Sequence, residues 1–273
     1  MPKIGITHNW QEKYNCEQDF EQVHLSRPDI ENKGFTEWQY PENWDNGTHG
    51  NNYVHISTSL SISNAGKEYT RSDGTKHKPN LARILEKIDY ARKAKMKGVI
   101  IHCGSKNGKD MKKVGKHGKK KKVPITQKEF DDNWKQIINN NEAHGRNNPQ
   151  DKVKIFVENS ASKNCYGAKW TELRKIAKEP NVAICIDTMH WFATGNSWEE
   201  LYEATKDNKV QLFYLNDIPH AVTLGSGIDR YEQIGKGQLP VSVIEHVITQ
   251  GKDIIIETPN PWQWGREILN LRK

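Results

Sequence analysis

Five short apolar runs in this chain each finish on a side chain that can hold a metal ion. NYV leads into His55, GVII into His102, KIFV into Glu158, VAICI into Asp187 and DIII into Glu257. His190 follows Asp187 by three residues, so a single strand-exit turn can aim both side chains toward one place. Taken singly, each has an ordinary explanation. A histidine at a strand end is usually a hydrogen-bonded rim residue, and a glutamate there can cap a helix or pair with a cation. Five such endings on five runs point to something shared. Three carboxylates brought together repel one another and resist leaving water. A divalent cation offsets both costs, and mixed imidazole and carboxylate donors suit zinc or manganese.

These side chains meet only if the elements carrying them run parallel. KIGIT from Lys3, FTEWQY (35–40), NYVHI (52–56), GVIIH (98–102), KIFVE (154–158), VAICI (182–186), VQLFYL (210–215) and DIIIE (253–257) read as strands. Between them lie helical patterns. Residues 80–96 carry Leu81, Ile84, Leu85, Ile88 and Ala91 on one face, with Asn80 as cap and Gly98 beyond the end. Thr126 and Glu129 form a capping box before Phe130, Trp134, Ile137 and Ile138. Residues 170–178 read as a helix, Ser197 with Glu200 caps another, and 241–248 and roughly 264–272 supply two more. About eight strands alternating with helices predict an α/β fold, a single (β/α)8 TIM barrel over residues 1–273 with its active site at the C-terminal rim of the strands.

The 273 residues and 34% apolar composition are enough for one barrel core. No run of eighteen apolar residues occurs, and the first strand-like segment begins at Lys3, which predicts a soluble, intracellular protein of cytoplasm or nucleus without a targeting segment. The four cysteines, Cys16, Cys103, Cys165 and Cys185, form no CxxC. Cys103 and Cys185 read as buried, reduced thiols, and a disulfide from Cys16 stays open. GSGIDR (225–230) does not complete GxGxxG and no GxxxxGK[ST] occurs, so nucleotide-loop readings fail.

The net charge of +7 is concentrated: residues 104–124 hold nine lysines and one aspartate. This segment leaves directly after His102 and so belongs to a βα loop on the same face as the metal candidates. There Lys106, Lys109, Lys112, Lys113, Lys119, Lys120, Lys121 and Lys122 are placed to hold the phosphates of a polyanion. The plain alternative is a solvated loop. Tyr166 and Trp191 lie near the same rim, where each either stacks on a flipped nucleotide or simply packs.

IHCGS (101–105), FVENSA (156–161), CIDTMHWFATG (185–195), YLND (214–217), GSGIDRYEQIGKG (225–237) and IIIETP (254–259) resemble, in order over roughly residues 50–260, the endonuclease IV family of abasic-site DNA repair enzymes among the xylose-isomerase-like TIM barrels. The resemblance implies a trinuclear zinc site: His55, His102 and Glu158 on a first ion, Glu158 bridging to a second held by Asp187 and Glu257, and His190 with Asp229 on a third. It also implies a metal-dependent, monomeric endonuclease. Its partner would be double-stranded DNA carrying abasic sites, cut 5′ to the lesion to leave a 3′-hydroxyl. Glu158 would orient the nucleophile as the catalytic residue. Two to three zinc ions, or manganese, are expected here.

The chain departs from that pattern at specific positions. Tyr214 and Tyr231 stand where the family motifs HLND and DRH carry imidazoles. Thr58 and Ser59 stand where the family has a Tyr-Leu wedge, and residues 35–50 contain no Arg or Lys. Two other classes follow from these departures: a non-catalytic or weakly active damaged-DNA-binding barrel, and a metal-dependent sugar isomerase or epimerase on the same architecture.

Overall fold

A computed structural model describes residues 2–8, 20–25, 52–57, 60–67, 79–114, 119–145, 152–260 and 263–271. In chain order the strands are β1 (Ile4–His8), β2 (Phe20–Leu25), β3 (Tyr53–Ile56), β4 (Gly98–His102), β5 (Asn107–Val114), β6 (Lys119–Pro124), β7 (Ile155–Glu158), β8 (Val182–Asp187), β9 (Val210–Leu215) and β10 (Asp253–Ile256). The helices are α1 (Asn80–Lys93), α2 (Gln127–Gly145), α3 (Trp170–Ile176), α4 (Thr188–Ala193), α5 (Trp198–Ala204), α6 (Val241–Thr249) and α7 (Trp264–Leu271). All strands but β5 and β6 pair in parallel, in the order β1-β2-β3-β4-β7-β8-β9-β10, and β10 returns to β1.

The period of two along these strands explains where the candidate ligands sit. Val99 and Ile101 pack in the large core between sheet and helices, whereas Ile100 joins an inner cluster with Tyr53, Phe156, Ala183, Cys185, Leu212, Tyr214 and Ile255. His55, His102, Glu158, Asp187 and Glu257 each lie two residues after one of these inner residues. They are the next step of the same inward-facing rows, where the apolar layer ends. The register agrees: His102 is paired with Glu158, Glu158 with Cys185, and Asp187 with Tyr214. Gly98 opens β4 because a Cβ there would sit 2.5 Å from the Phe156 ring and 2.8 Å from the Lys154 carbonyl.

Several local expectations are corrected. The second strand of the sheet is Phe20–Leu25, not residues 35–40, which lie outside the described residues, as does Cys16. Asn80 is the first helical residue rather than the cap, and its buried amide donates to the Asn64 carbonyl at 3.1 Å. That helix ends at Lys93, with Lys95 in the left-handed region, so Gly98 plays no part in stopping it. The capping boxes at Thr126/Glu129 and Ser197/Glu200 are both formed. The lysine segment is not an irregular loop: β5 and β6 make an antiparallel ribbon in which Lys112 is opposite Lys121 and Lys113 opposite Lys120. Cys103, Cys165 and Cys185 are free thiols, the first and last of them buried.

Candidate metal centre

Glu158 is the hub. It ends β7, is 1% exposed, and turns one carboxylate oxygen to each of two neighbouring groups. Its Oε2 lies 3.1 Å from Nε2 of His55 and 3.5 Å from Nε2 of His102. Its Oε1 lies 3.1 Å from Nδ1 of His190. Two sets of donors therefore share this carboxylate, His55/His102/Glu158 and Glu158/Asp187/His190, each with ligand atoms within 4.8 Å of one another.

Asp187 has a structural duty as well. It is the N-cap of α4, accepting the backbone N–H of His190 on Oδ1 at 2.7 Å, and its Oδ2 accepts from the Asn216 side chain at 2.9 Å. Its own N–H donates to Oδ1 of Asn159 at 2.7 Å. These bonds answer why a carboxylate follows VAICI: it starts the next helix, and that helix brings His190 one turn later into the same space. Asn159, directly after the candidate Glu158, and Asn216, directly after Leu215 at the end of β9, belong to the site but are not among the residues expected from the sequence. A neutral amide gives no charge signal, and only its place after Glu158 and Leu215 hints at the role.

Electrostatics follow from burial. Burial holds His102 down to about 4, which keeps its imidazole neutral with a lone pair to offer. Burial, reinforced by Glu158 and Glu257, pushes Asp187 up to about 7 against the opposing pull of His190. For Glu158 burial raises the pKa, but the hydrogen bonds from His190 and His55 and the charge of His190 outweigh it and hold the group ionised. Burial disfavours charge on His190, yet Asp187, Asp229 and Glu158 together raise its pKa well above the usual imidazole range. The hydroxyl of Tyr214, wholly buried, has no hydrogen-bond partner among the described residues, and burial followed by the Glu158 charge raises its pKa further. A convergent His/His/Glu set, a second buried carboxylate beside it and an orphaned phenol fit a divalent cation.

The remaining candidates are less convergent. Glu257 follows β10 on the inward row, and its charge acts on Asp187, His102 and Tyr214. Asp229 is 57% exposed and reaches His190, Oδ1 to Nε2 at 3.3 Å. Tyr231 also meets that nitrogen, Oη to Nε2 at 3.1 Å. The loop bearing these two is pinned by Asp217, fully buried, which accepts the N–H groups of Ile218, Gly235, Gly237 and Leu239 at 2.7–3.0 Å. The aspartate of YLND is thus an anchor for the loop.

A cavity of about 300 Å³ adjoins the cluster, lined by His102, His190 and Asp229 together with Ser61, Ser63 and Ser105. Gly104, with φ +86°, lets the chain pass there, since a Cβ would come within 2.2 Å of the Ser61 hydroxyl. The lysine ribbon is rooted at the same wall: Ser105 bridges to Cys165, Lys106 N–H donates to the Asn164 carbonyl, and Ile125 N–H donates to the Lys106 carbonyl. Lys106 itself pairs with Glu172 at 3.0 Å and lies over the Tyr166 ring, which commits it to the root of the ribbon. The side chains of Lys109, Lys112, Lys113, Lys119, Lys120, Lys121 and Lys122 lie outside the described set, as do Thr58 and Ser59. Neither aromatic singled out for nucleotide stacking is available. Tyr166 is 3% exposed, stacks on Phe130 and donates to the Ile125 carbonyl, while Trp191 is fully buried and donates to the Ser197 carbonyl.

Residues 48–273 match the model of the xylose isomerase-like TIM barrel family. The chain is 35% identical over 127 residues to apurinic-apyrimidinic endonuclease 1 of Plasmodium berghei, covering 40% of this chain but only 25% of that protein. It is 30% identical over 212 residues to the probable endonuclease 4 of Campylobacter concisus, covering 71% of this chain and 67% of that one. In fold it is similar to endonuclease IV from Thermus thermophilus, with a TM-score of 0.65 at 14% identity over 98% of both chains. A D-tagatose 3-epimerase-like protein is similar in fold too, with a TM-score of 0.58 at 16% identity over 98% of this chain and 96% of that one. Among the described residues no helix is long and apolar enough to cross a membrane. The chain belongs to the xylose isomerase-like TIM barrels and, within them, to the endonuclease IV family.

Proposed function

We propose that this chain is a metal-dependent endonuclease that hydrolyses the DNA phosphodiester 5′ to an abasic site, leaving a 3′-hydroxyl, as a step of base excision repair. The observation that carries this reading is the position of Glu158, which offers one oxygen to the His55/His102 pair and the other to the Asp187/His190 side. A carboxylate shared in this way suits adjacent cations, the arrangement that clamps both oxygens of an in-line phosphoryl displacement. Zinc, or manganese, would be held by His55, His102 and Glu158, with Asp187 and Glu257 on the neighbouring side. When bound, such ions polarise the phosphate and supply hydroxide at neutral pH.

The chain's own residues do the rest. Glu158 orients the attacking oxygen, and the neutral imidazole of His102 keeps its lone pair toward the centre. Asn159 and Asn216 hold Asp187 so that its carboxylate faces the same point. No serine or cysteine nucleophile is needed. The ribbon β5–β6, rooted beside the cavity, supplies backbone-directed affinity for duplex DNA through its lysines. A sugar isomerase or epimerase is the competing reading, and the hydroxyl-lined cavity favours it. A small sugar, however, gives the lysine ribbon no role. Incision of a duplex bearing one abasic-site analogue, with and without a chelator, separates the two.

A further inference from the structure

The family pattern puts a third ion on His190 and Asp229, completed by an imidazole at the position of Tyr231. The donors gathered around His190 do not fit that arrangement. Its Nδ1 lies 2.9 Å from the carbonyl oxygen of Asn159, which can only accept, so Nδ1 carries a proton and donates it there. The nitrogen that faces Glu158 is therefore unavailable as a ligand, and Nε2 is the one left. Nε2 in turn lies 3.1 Å from the Tyr231 hydroxyl and 3.3 Å from Oδ1 of Asp229. Where the family pattern asks for a second imidazole, Nε2 meets a phenol within hydrogen-bonding distance.

The donor count points the same way. An ion at that position would find one imidazole nitrogen, one carboxylate that is 57% exposed, and a phenol. Protein zinc sites ordinarily offer at least three imidazole, thiolate or carboxylate donors. The segment carrying Asp229 and Tyr231 is held on both sides, by the Gly227 N–H on the Ala193 carbonyl and by the paired backbone bonds between Asp217 and Glu232. Resting on the metal-dependent reading above, we infer that Tyr231 closes the third position with hydrogen bonds. The chain then holds two ions, both on Glu158, and His190 acts as a positioning residue instead of a ligand.

The test is zinc stoichiometry, measured by elemental analysis after equilibrium dialysis of the full chain without DNA. The wild-type chain and Asp229→Asn should each hold two ions, because the asparagine removes no ligand. Tyr231→Phe should also hold two, whereas Tyr231→His, restoring the missing imidazole, should hold three. Three ions in the wild type, one ion in the wild type, or loss of an ion in Asp229→Asn overturns the inference. So does a folded Tyr231→His that still holds two. Asp229→Asn keeps the test decisive should the histidine variant fail to fold, since its carboxylate is largely exposed. Two bound ions with no DNA incision would contradict the proposed activity and leave this inference standing. A chain that takes up no ion at all would overturn both.

Discussion

Asn159 and His190 are joined by a backbone contact, the Asn159 carbonyl accepting the imidazole Nδ1–H at 2.9 Å. Asn159 directly follows Glu158, and its side chain also accepts the N–H of Asp187 at 2.7 Å. The residue after the hub therefore orients two of the hub's neighbours, tying the ends of β7 and β8 into one rigid unit. A site built on strand ends and cross-linked this way holds its geometry before any ion or substrate arrives.

Replacing Glu158 with Gln keeps the shape and removes the charge that both donor sets share. Zinc affinity should fall by more than the roughly 10–100-fold typical of losing an outer-shell partner, and incision should disappear while the circular dichroism spectrum stays native. Unchanged turnover in that variant would remove Glu158 from the chemistry.

Asn216→Ala should act more mildly. It withdraws the donor to Oδ2 of Asp187 and the acceptor for the Met189 N–H. An expected loss of about 1–3 kcal/mol in stability should come with a roughly 10–100-fold drop in metal affinity. Calorimetric unfolding and a chelator competition measure the two separately.

Metal affinity should depend on pH through Asp187. In the metal-free protein its carboxyl is pushed up to about 7, by burial first and then by Glu158 and Glu257. Below that pH the site holds a proton that an incoming ion must displace, so affinity falls by about tenfold per pH unit for each proton expelled. Above it, this group no longer contributes a slope. Competition against a chelator of known affinity from about pH 6 to about pH 8 reads the curve, and an affinity rising toward acid would contradict it.

Changing Lys119, Lys120, Lys121 and Lys122 to Ser should weaken duplex binding without altering zinc content. The slope of log affinity against log salt should shrink by about 0.9 for each phosphate that the protein no longer neutralises. In register Lys112 is paired with Lys121 and Lys113 with Lys120 across the ribbon. An unchanged salt slope would assign the ribbon another partner.

Much of the site was legible because a parallel strand buried on both faces is a nearly continuous apolar run, and the residue that ends it stands out. His55, His102, Glu158 and Asp187 were visible for that reason. The strand Phe20–Leu25 was not, because Glu21, Gln22 and His24 interrupt the run and only its pairing with β1 and β3 defines it. Asn159, Asn216 and the anchoring role of Asp217 depend on contacts between loops distant in sequence, which no local pattern encodes. Tyr166 and Trp191 have the composition of a stacking platform, and only their burial shows that they are core.

The most direct test of the central claim is incision of an end-labelled duplex carrying a single abasic-site analogue, with the protein loaded with zinc, loaded with manganese, or treated with chelator. The account predicts cleavage 5′ to the lesion that leaves a 3′-hydroxyl, requires a metal and is abolished by the chelator. Salt-sensitive binding without incision under every metal, or incision indifferent to chelator, would contradict it.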